Sequence, residues 1–299
     1  MPWTAYQIIL RLHAPLHIGR GRVSYLQRAR PYVTGRVLRG ALVSRVGRNN
    51  PNLLSNGPRD DPYRCVSKTF AQYLTYTYFY PALEKKKEPG KWDVCFPWDN
   101  EACFRRRFLS SYTAAALEYP QQTAAEGLLY ETEFIAPRAL DNGQPVYLMG
   151  YIFVDEERLN RDKYDWKAAF RRLQLGGERG YGWGDVRLEE IRQHPGSGKL
   201  FGQICFDPNT KRPTVCLEKD QPVLAHTDAK AGALAGPVEP IVGREWRADN
   251  ENKRKHVGQH LLFDGVRFAP GSIVLCEESK FTIEKGGYWQ QQPPQEGAP

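Results

Sequence analysis

Between residues 6 and 13 the side chains alternate: Tyr6, Ile8, Leu10 and Leu12 fall on one side, Gln7, Ile9, Arg11 and His13 on the other. Successive strand residues point to opposite faces, so this pattern predicts a first strand with one mainly apolar face. Residues 14–30 interrupt it with Pro15, Gly19 and Gly21 among basic residues, which predicts a loop with some extended structure. Thr34 stands at the N-cap position of a helix in which Leu38, Leu42 and Val46 recur every four residues, with Arg36 and Arg39 on another face. Gly40 lowers the propensity of that helix by about 1 kcal/mol, so its presence predicts close approach by another segment.

Residues 50–125 lose the pattern: a polar stretch, an aromatic run through Tyr80, a charged turn at 84–88 and a helix over 104–117 read together as an insertion. Strands are predicted at 128–135 and 146–154, joined by the Asp141, Asn142, Gly143 turn. Asp165 caps a helix whose Trp166, Phe170 and Leu173 share a face and which Gly176 ends, and a last strand follows over 186–191. Without the insertion the order is βαββαβ, the split βαβ arrangement of ferredoxin-like and RNA-recognition (RRM-like) folds, and the fold class is α+β. The expected organisation is a domain over 1–195 with its insertion at about 50–125 and a second region over 196–285. That region is either a degenerate copy of the same unit or simply β-rich. Residues 286–299, rich in Gln, Pro and Gly, are expected to be a disordered tail.

Charge changes the picture. The net charge of +8 points to a polyanionic partner, and its distribution says more than the total. Residues 1–59 hold ten arginines and no lysine, aspartate or glutamate. The planar guanidinium grips phosphate through two N–H groups and stacks on bases, so an acid-free arginine stretch reads as nucleic-acid binding ahead of a merely solvated basic face. No apolar run approaches membrane-spanning length and no basic-then-apolar leader opens the chain, so a cytoplasmic location without membrane contact is expected. The six cysteines form no CxxC pair and have no close histidine spacing. They read as reduced thiols, and neither metal nor cofactor is expected. Cys65, Cys95 and Cys103 would need the fold to bring them together before they held an ion.

The segment LGGERGYGWGD at 175–185 places five glycines between a helix and a strand, interleaved with Arg179, Tyr181 and Trp183. Glycine permits close backbone approach and positive φ, so N–H groups of such a loop converge on phosphate oxygens while the arginine adds charge and the rings add stacking faces. A dinucleotide fingerprint has the opposite order, strand then helix, and a P-loop needs a following Gly-Lys-Ser/Thr; neither fits.

With this loop, the PLHIGRG segment at 15–21, the YVTGRVLRGAL segment at 32–42 and the late FAPGS at 268–272, the chain resembles the RAMP superfamily of CRISPR-associated proteins. Thr34 stands where that superfamily commonly has proline, and Arg36 and Val37 replace a small polar pair. Size and the two-region layout are most like the subunit that caps the guide RNA in a type III, III-D-like, effector complex. That resemblance implies an RNA-binding structural subunit gripping the repeat-derived 5′ handle of the crRNA. Its implied protein partners are the large polymerase-like subunit and the backbone RAMP subunits. The residues implied to touch RNA are His17, Gly19, Arg20, Arg22, Arg36, Arg39, Gly176, Gly177, Arg179, Tyr181 and Trp183. The resemblance implies no catalytic residue.

The alternative is a metal-independent endoribonuclease of the same superfamily that processes precursor crRNA with His17 or His13 as proton-transfer group. Surrounding arginines disfavour an imidazolium, which helps a base and hinders an acid. The remaining histidines show no metal or triad spacing; His256 and His260 are four apart without the glutamate of a zincin. A third reading is a protein-interaction subunit that hardly touches RNA, and the arginine stretch argues against it.

Overall fold

The computed structural model describes residues 3–50, 62–119, 123–159, 164–196, 198–230, 232–245 and 260–293. Strand β1 (Thr4–Leu12) is followed by the hairpin of β2 (Gly19–Val23) and β3 (Leu26–Ala29) and by helix α1 (Gly35–Asn49). Next come α2 (Pro62–Tyr73), β4 (Leu74–Tyr76), β5 (Tyr80–Glu84), β6 (Trp92–Val94), α3 (Glu101–Phe108) and a long hairpin, β7 (Leu109–Glu118) with β8 (Thr123–Ile135). Strand β9 (Tyr147–Val154) leads through the short helices α4 (Glu156–Leu159) and α5 (Trp166–Ala169) to β10 (Arg172–Gln174) and β11 (Asp185–Gln193). The rest is β-rich: β12 (Cys205–Asp207), β13 (Thr214–Glu218), β14 (Thr227–Asp228), β15 (Leu234–Ala235), β16 (Val238–Glu245), β17 (His260–Phe268), β18 (Ile273–Val274), β19 (Glu278–Ile283) and β20 (Trp289–Gln291).

The first sheet has the order β10-β11-β1-β9-β5-β6, with β4 also on β9, and its pairings are antiparallel. Its inner strands run β11, β1, β9, β5, with α1 and α2 between β1 and β5 in sequence and α5 between β9 and β11. This is the ferredoxin-like order, fourth strand, first, third, second. The alternation of β1 has a direct cause. Tyr6, Ile8, Leu10 and Leu12 pack against Leu38, Leu42 and Val46 of α1 and Phe70 of α2, whereas Ala5 and Ile9 join a second core with Val215, Phe281 and Trp289. Every residue of β9 is buried, so its sequence does not alternate. Gly150 at its centre lies under the Phe79 ring, and an added Cβ would sit 2.3 Å from Phe79 Cδ2. Gly150→Ala is therefore expected to destabilise the protein by about 1–3 kcal/mol, as overpacking does, read as a lower urea midpoint.

A seven-stranded sheet, order β12-β13-β19-β20-β14-β17-β16, forms the second layer, and β15 pairs with β18 apart from it. Among its described residues this region is β-rich and holds no helix. A four-stranded sheet, β2-β3-β8-β7, completes the α+β architecture.

Several local expectations are corrected. The strand beside β9 is Tyr80–Glu84, inside the expected insertion, and not 128–135, which belongs to the β7–β8 hairpin. Strand β5 is short and mostly buried, and contains Pro81, so it shows no alternation, whereas in β8 Tyr130, Thr132 and Phe134 alternate with Glu131 and Glu133. The helix expected over 104–117 is α3, ending at Phe108, and then strand β7. Asp165 does cap α5, accepting from Ala168 N–H at 2.9 Å, but that helix stops before Phe170 and residues 172–174 pair with β11. Trp166, Phe170 and Leu173 are nevertheless all buried. Gly40 has room: an added Cβ would be 4.0 Å from Tyr63 Oη. The close approach is instead at Gly35, where a Cβ would meet Gly286 O at 2.9 Å. There the expected tail docks on the start of α1, and Trp289 in β20 is buried; residues 294–299 lie outside the described residues.

Candidate nucleic-acid interface

The glycine-rich loop folds back on residues 15–17. Gly177 N–H donates to His17 O at 2.9 Å, Gly184 N–H to Pro15 O at 2.7 Å and Leu175 N–H to Gly184 O at 2.9 Å. Two glycines are dictated by space as well as by φ. At Gly176 (φ 75°) an added Cβ would lie 2.2 Å from His17 O, and at Gly184 (φ 77°) 1.9 Å from Leu175 O. One 3-10 turn, Arg179–Tyr181, forms the tip, where Tyr181 N–H donates to Glu178 O and Gly182 N–H to Arg179 O. Gln174 Nε2 braces the turn by donating to the carbonyls of Arg179 and Trp183. The loop thus commits the N–H groups of Gly177, Tyr181, Gly182 and Gly184 to its own architecture, and the expected phosphate cradle of converging N–H groups is not built from those four. What it presents outward is side chains: Arg179 is exposed and Tyr181 is 77% exposed.

These side chains face the β2-β3-β8-β7 sheet. In its register Arg22 opposes Gln27, Gln27 opposes Thr132, and Thr132 opposes Tyr112, so the four share a face. Tyr130 and Phe134, two residues either side of Thr132, share it as well. The Trp183 ring stands edge-on to Phe134 at 5.1 Å and to Tyr112 at 6.3 Å between centroids, and burial first, then the neighbouring Tyr181, raises the Tyr130 phenol. Five rings from segments far apart in sequence therefore meet on the sheet face that Arg22 of β2 shares, with Tyr112 itself 59% exposed. Bases stack on such rings while guanidinium groups take the phosphates.

His17 supports this arrangement from beneath. Its ring is buried, and Nδ1 lies 2.7 Å from Glu133 O, a group that only accepts, so Nδ1 carries the hydrogen. His13 is exposed, and burial first, then Arg187 and Arg11, lower its pKa. Gly19 opens the exposed strand β2, which a bulge between Gly19 and Gly21 bends. The Glu133 carboxylate accepts from Ala29 N–H at 2.9 Å and from Arg105 at 2.6 Å, tying β8 to β3 and α3.

The remaining arginines have other partners. Arg20 pairs with Glu239 at 3.3 Å, Arg39 donates to Ser67 Oγ at 2.8 Å, and Arg36 packs against Gly243 of β16. So the fold gathers His17, Gly19, Gly176, Gly177, Arg179, Tyr181 and Trp183 around the glycine-rich loop, with Arg22 farther along β2 and donating from Nε to Ser24 O, while Arg36 and Arg39 lie on α1 against β16 and α2. The sequence reading missed Tyr112, Tyr130 and Phe134; the period-two pattern of 128–135 was the available signal for the last two.

It also missed a buried charge network between the two layers. Arg30 and His226 both pair with Glu239, Tyr78 Oη is 2.6 Å from His226 Nδ1, and Tyr32 stacks on Tyr78 at 5.5 Å. Burial alone would raise the Glu239 carboxyl, but the His226 hydrogen bond and the Arg30 charge outweigh it and hold its pKa at about 2. Burial lowers His226. Among the described residues no three His, Cys, Asp or Glu side chains group closely enough to hold a metal ion.

No family model matches the chain, and no curated protein matches it. Among solved structures, a chain of the type III-B Cmr-beta complex bound to cognate target RNA and AMPPnP superposes with a TM-score of 0.48 at 12% identity, covering 90% of this chain and 85% of the other. Chains from the same complex bound to cognate target RNA and in its apo state give TM-scores of 0.40 at 11% identity, covering 62% and 63% of this chain and 96% of theirs.

Proposed function

We propose that this protein is a cytoplasmic, non-catalytic RNA-binding subunit of a type III CRISPR effector, gripping the repeat-derived 5′ handle of the crRNA and joining the large subunit to the backbone. The observation that carries this reading is the joining of the glycine-rich loop to the aromatic, Arg22-bearing face of the β2-β3-β8-β7 sheet. Arg179, Tyr181 and Trp183 supply charge and stacking at one edge of a ferredoxin-like sheet, in the segment whose motif resembles the RAMP superfamily. Partner subunits have a surface to meet. One face of β16 and β17 shows Val238, Val242, Leu261, Phe263 and Val266, each 55–70% exposed, an apolar patch of the kind that marks protein contacts. No helix among the described residues is long and apolar enough to cross a membrane.

The non-catalytic part rests on His17, whose ring is buried and whose Nδ1 is occupied by a backbone carbonyl, and on the absence from its described contacts of a second proton-transfer group. The endoribonuclease reading retains one supporting observation, the exposed His13, whose pKa is lowered.

One experiment tests both parts. Repeat-derived single-stranded RNA is titrated with the protein across salt concentrations and then recovered. Each phosphate contact to a single strand contributes about 0.7 to the log-log slope, so four to six contacts give roughly 3–4, or on the order of 100-fold weaker binding from 50 to 200 mM salt. The RNA is expected back intact. A flat salt dependence contradicts RNA binding, and cleavage at one site that His13→Ala or His17→Ala abolishes replaces the scaffold with the nuclease.

A further inference from the structure

Cys205 and Cys216 are direct cross-strand partners on β12 and β13, at the edge of the second sheet. Both are free thiols, the first exposed and the second half-buried. Backbone direction fixes what kind of pair they form. Lys219 N–H donates to Glu277 O and Ile283 N–H to Pro213 O, so residues 213 and 219 turn their backbone groups towards the β19 side. Direction alternates along a strand, so Cys216 turns towards β12 and forms the hydrogen-bonded kind of pair with Cys205. In such a pair the Cα atoms are about 5.5 Å apart, inside the roughly 4.4–6.8 Å range of disulfides. The Cβ atoms must still draw together to about 3.8 Å, which strains the bridge and makes it easily reduced.

We propose that Cys205 and Cys216 form a reversible dithiol/disulfide site that exchanges with small-molecule disulfides of the glutathione type. Cys205 is the attacking thiol because it is exposed at the sheet edge. Its thiolate attacks one sulfur of the glutathione disulfide and expels one glutathione thiolate, leaving a mixed disulfide on Cys205. The Cys216 thiolate then attacks the Cys205 sulfur and expels the second. The two protein thiols lose two electrons and two protons, and one glutathione disulfide becomes two glutathione molecules. Burial raises the Cys216 thiol, and Lys280 of β19, which register places beside it, offsets part of that rise. Closure staples the edge strand β12, whose Phe206 packs on Phe153 of β9 at 5.5 Å, to the sheet interior.

The full chain is incubated with glutathione disulfide, quenched in acid, alkylated and mapped by peptide mass spectrometry. Wild type is expected to show one intrachain bond between Cys205 and Cys216, lost on adding excess reduced glutathione, and at least several-fold slower hydrogen exchange in β12. Cys216→Ser is expected to stop at a stable glutathione adduct on Cys205, and Cys205→Ser to form no intrachain bond. The wild-type map stands even if a variant misfolds. Accumulation of the Cys205 adduct in wild type without closure overturns the site. So does a bond between other cysteines, such as Cys95 and Cys103, or modification of the exposed Cys103 and Cys276 alone.

Discussion

Glu239→Ala is expected to lower the stability of the folded protein by about 3–5 kcal/mol, the usual cost of removing one partner from a buried ion pair. The substitution strands two groups at once, because Arg30 is buried and His226 is almost wholly so, and both rely on that carboxylate. The same network gives a pH signature. With its folded pKa held at about 2, below the ordinary carboxyl value of 4.5, Glu239 stabilises the fold fully above about pH 4.5 and loses that contribution as pH falls towards 2. Urea unfolding of wild type and Glu239→Ala between pH 7 and pH 3 measures both effects. The difference between the two proteins is expected to shrink as pH falls through that window. A difference below about 1 kcal/mol at pH 7 would show that the ion pair does not hold the layers together.

The second large effect is on binding. Trp183→Ala is expected to weaken the affinity for repeat-derived single-stranded RNA by about 1–3 kcal/mol, the measured range for removing one base-stacking ring, or roughly 5- to 150-fold. The ring is half-buried, steadied by Phe134 and Tyr112 at its edges and by Gln174 on its carbonyl, so its face is presented in one orientation. Tyr181→Ala, which removes a ring that is 77% exposed, is the companion variant because the loop's backbone bonds do not depend on it. Equilibrium fluorescence titration at one fixed salt concentration, with circular dichroism to confirm folding, reads the loss. If both variants bind as wild type does, the loop is a structural connector.

What was legible in the sequence follows from which surfaces each segment faces. Strand β1 showed itself because helices cover one side and a less regular mixture the other, so alternation survives. The glycine-rich loop was legible because steric demand at Gly176 and Gly184 leaves a trace in composition. Strand β5 was not, since Tyr80, Pro81, Ala82 and Leu83 are all buried and no polar face marks the period. Strand β7 reads LSSYTAAALE, an alanine-rich run that passes for helix until its pairing with β8 is known. Tertiary pairing decided there against local propensity. The partner of Arg30 was beyond reach for a different reason, since Glu239 is 209 residues away and nothing local announces it. Sequence separation likewise hid the meeting of Tyr112 with Trp183, so the loop was recognised without the wall it faces.

If RNA lies against that loop and wall, ultraviolet crosslinking of the full chain to repeat-derived RNA, followed by peptide mapping, will find it there. Crosslinks are expected at Tyr181 and Trp183 of the glycine-rich loop and at Tyr112 and Tyr130 of the β7–β8 hairpin, and they should fade as salt rises. Crosslinks confined to α1, α2 or the β16–β17 hairpin, or none at a concentration where binding is saturated, would contradict the account.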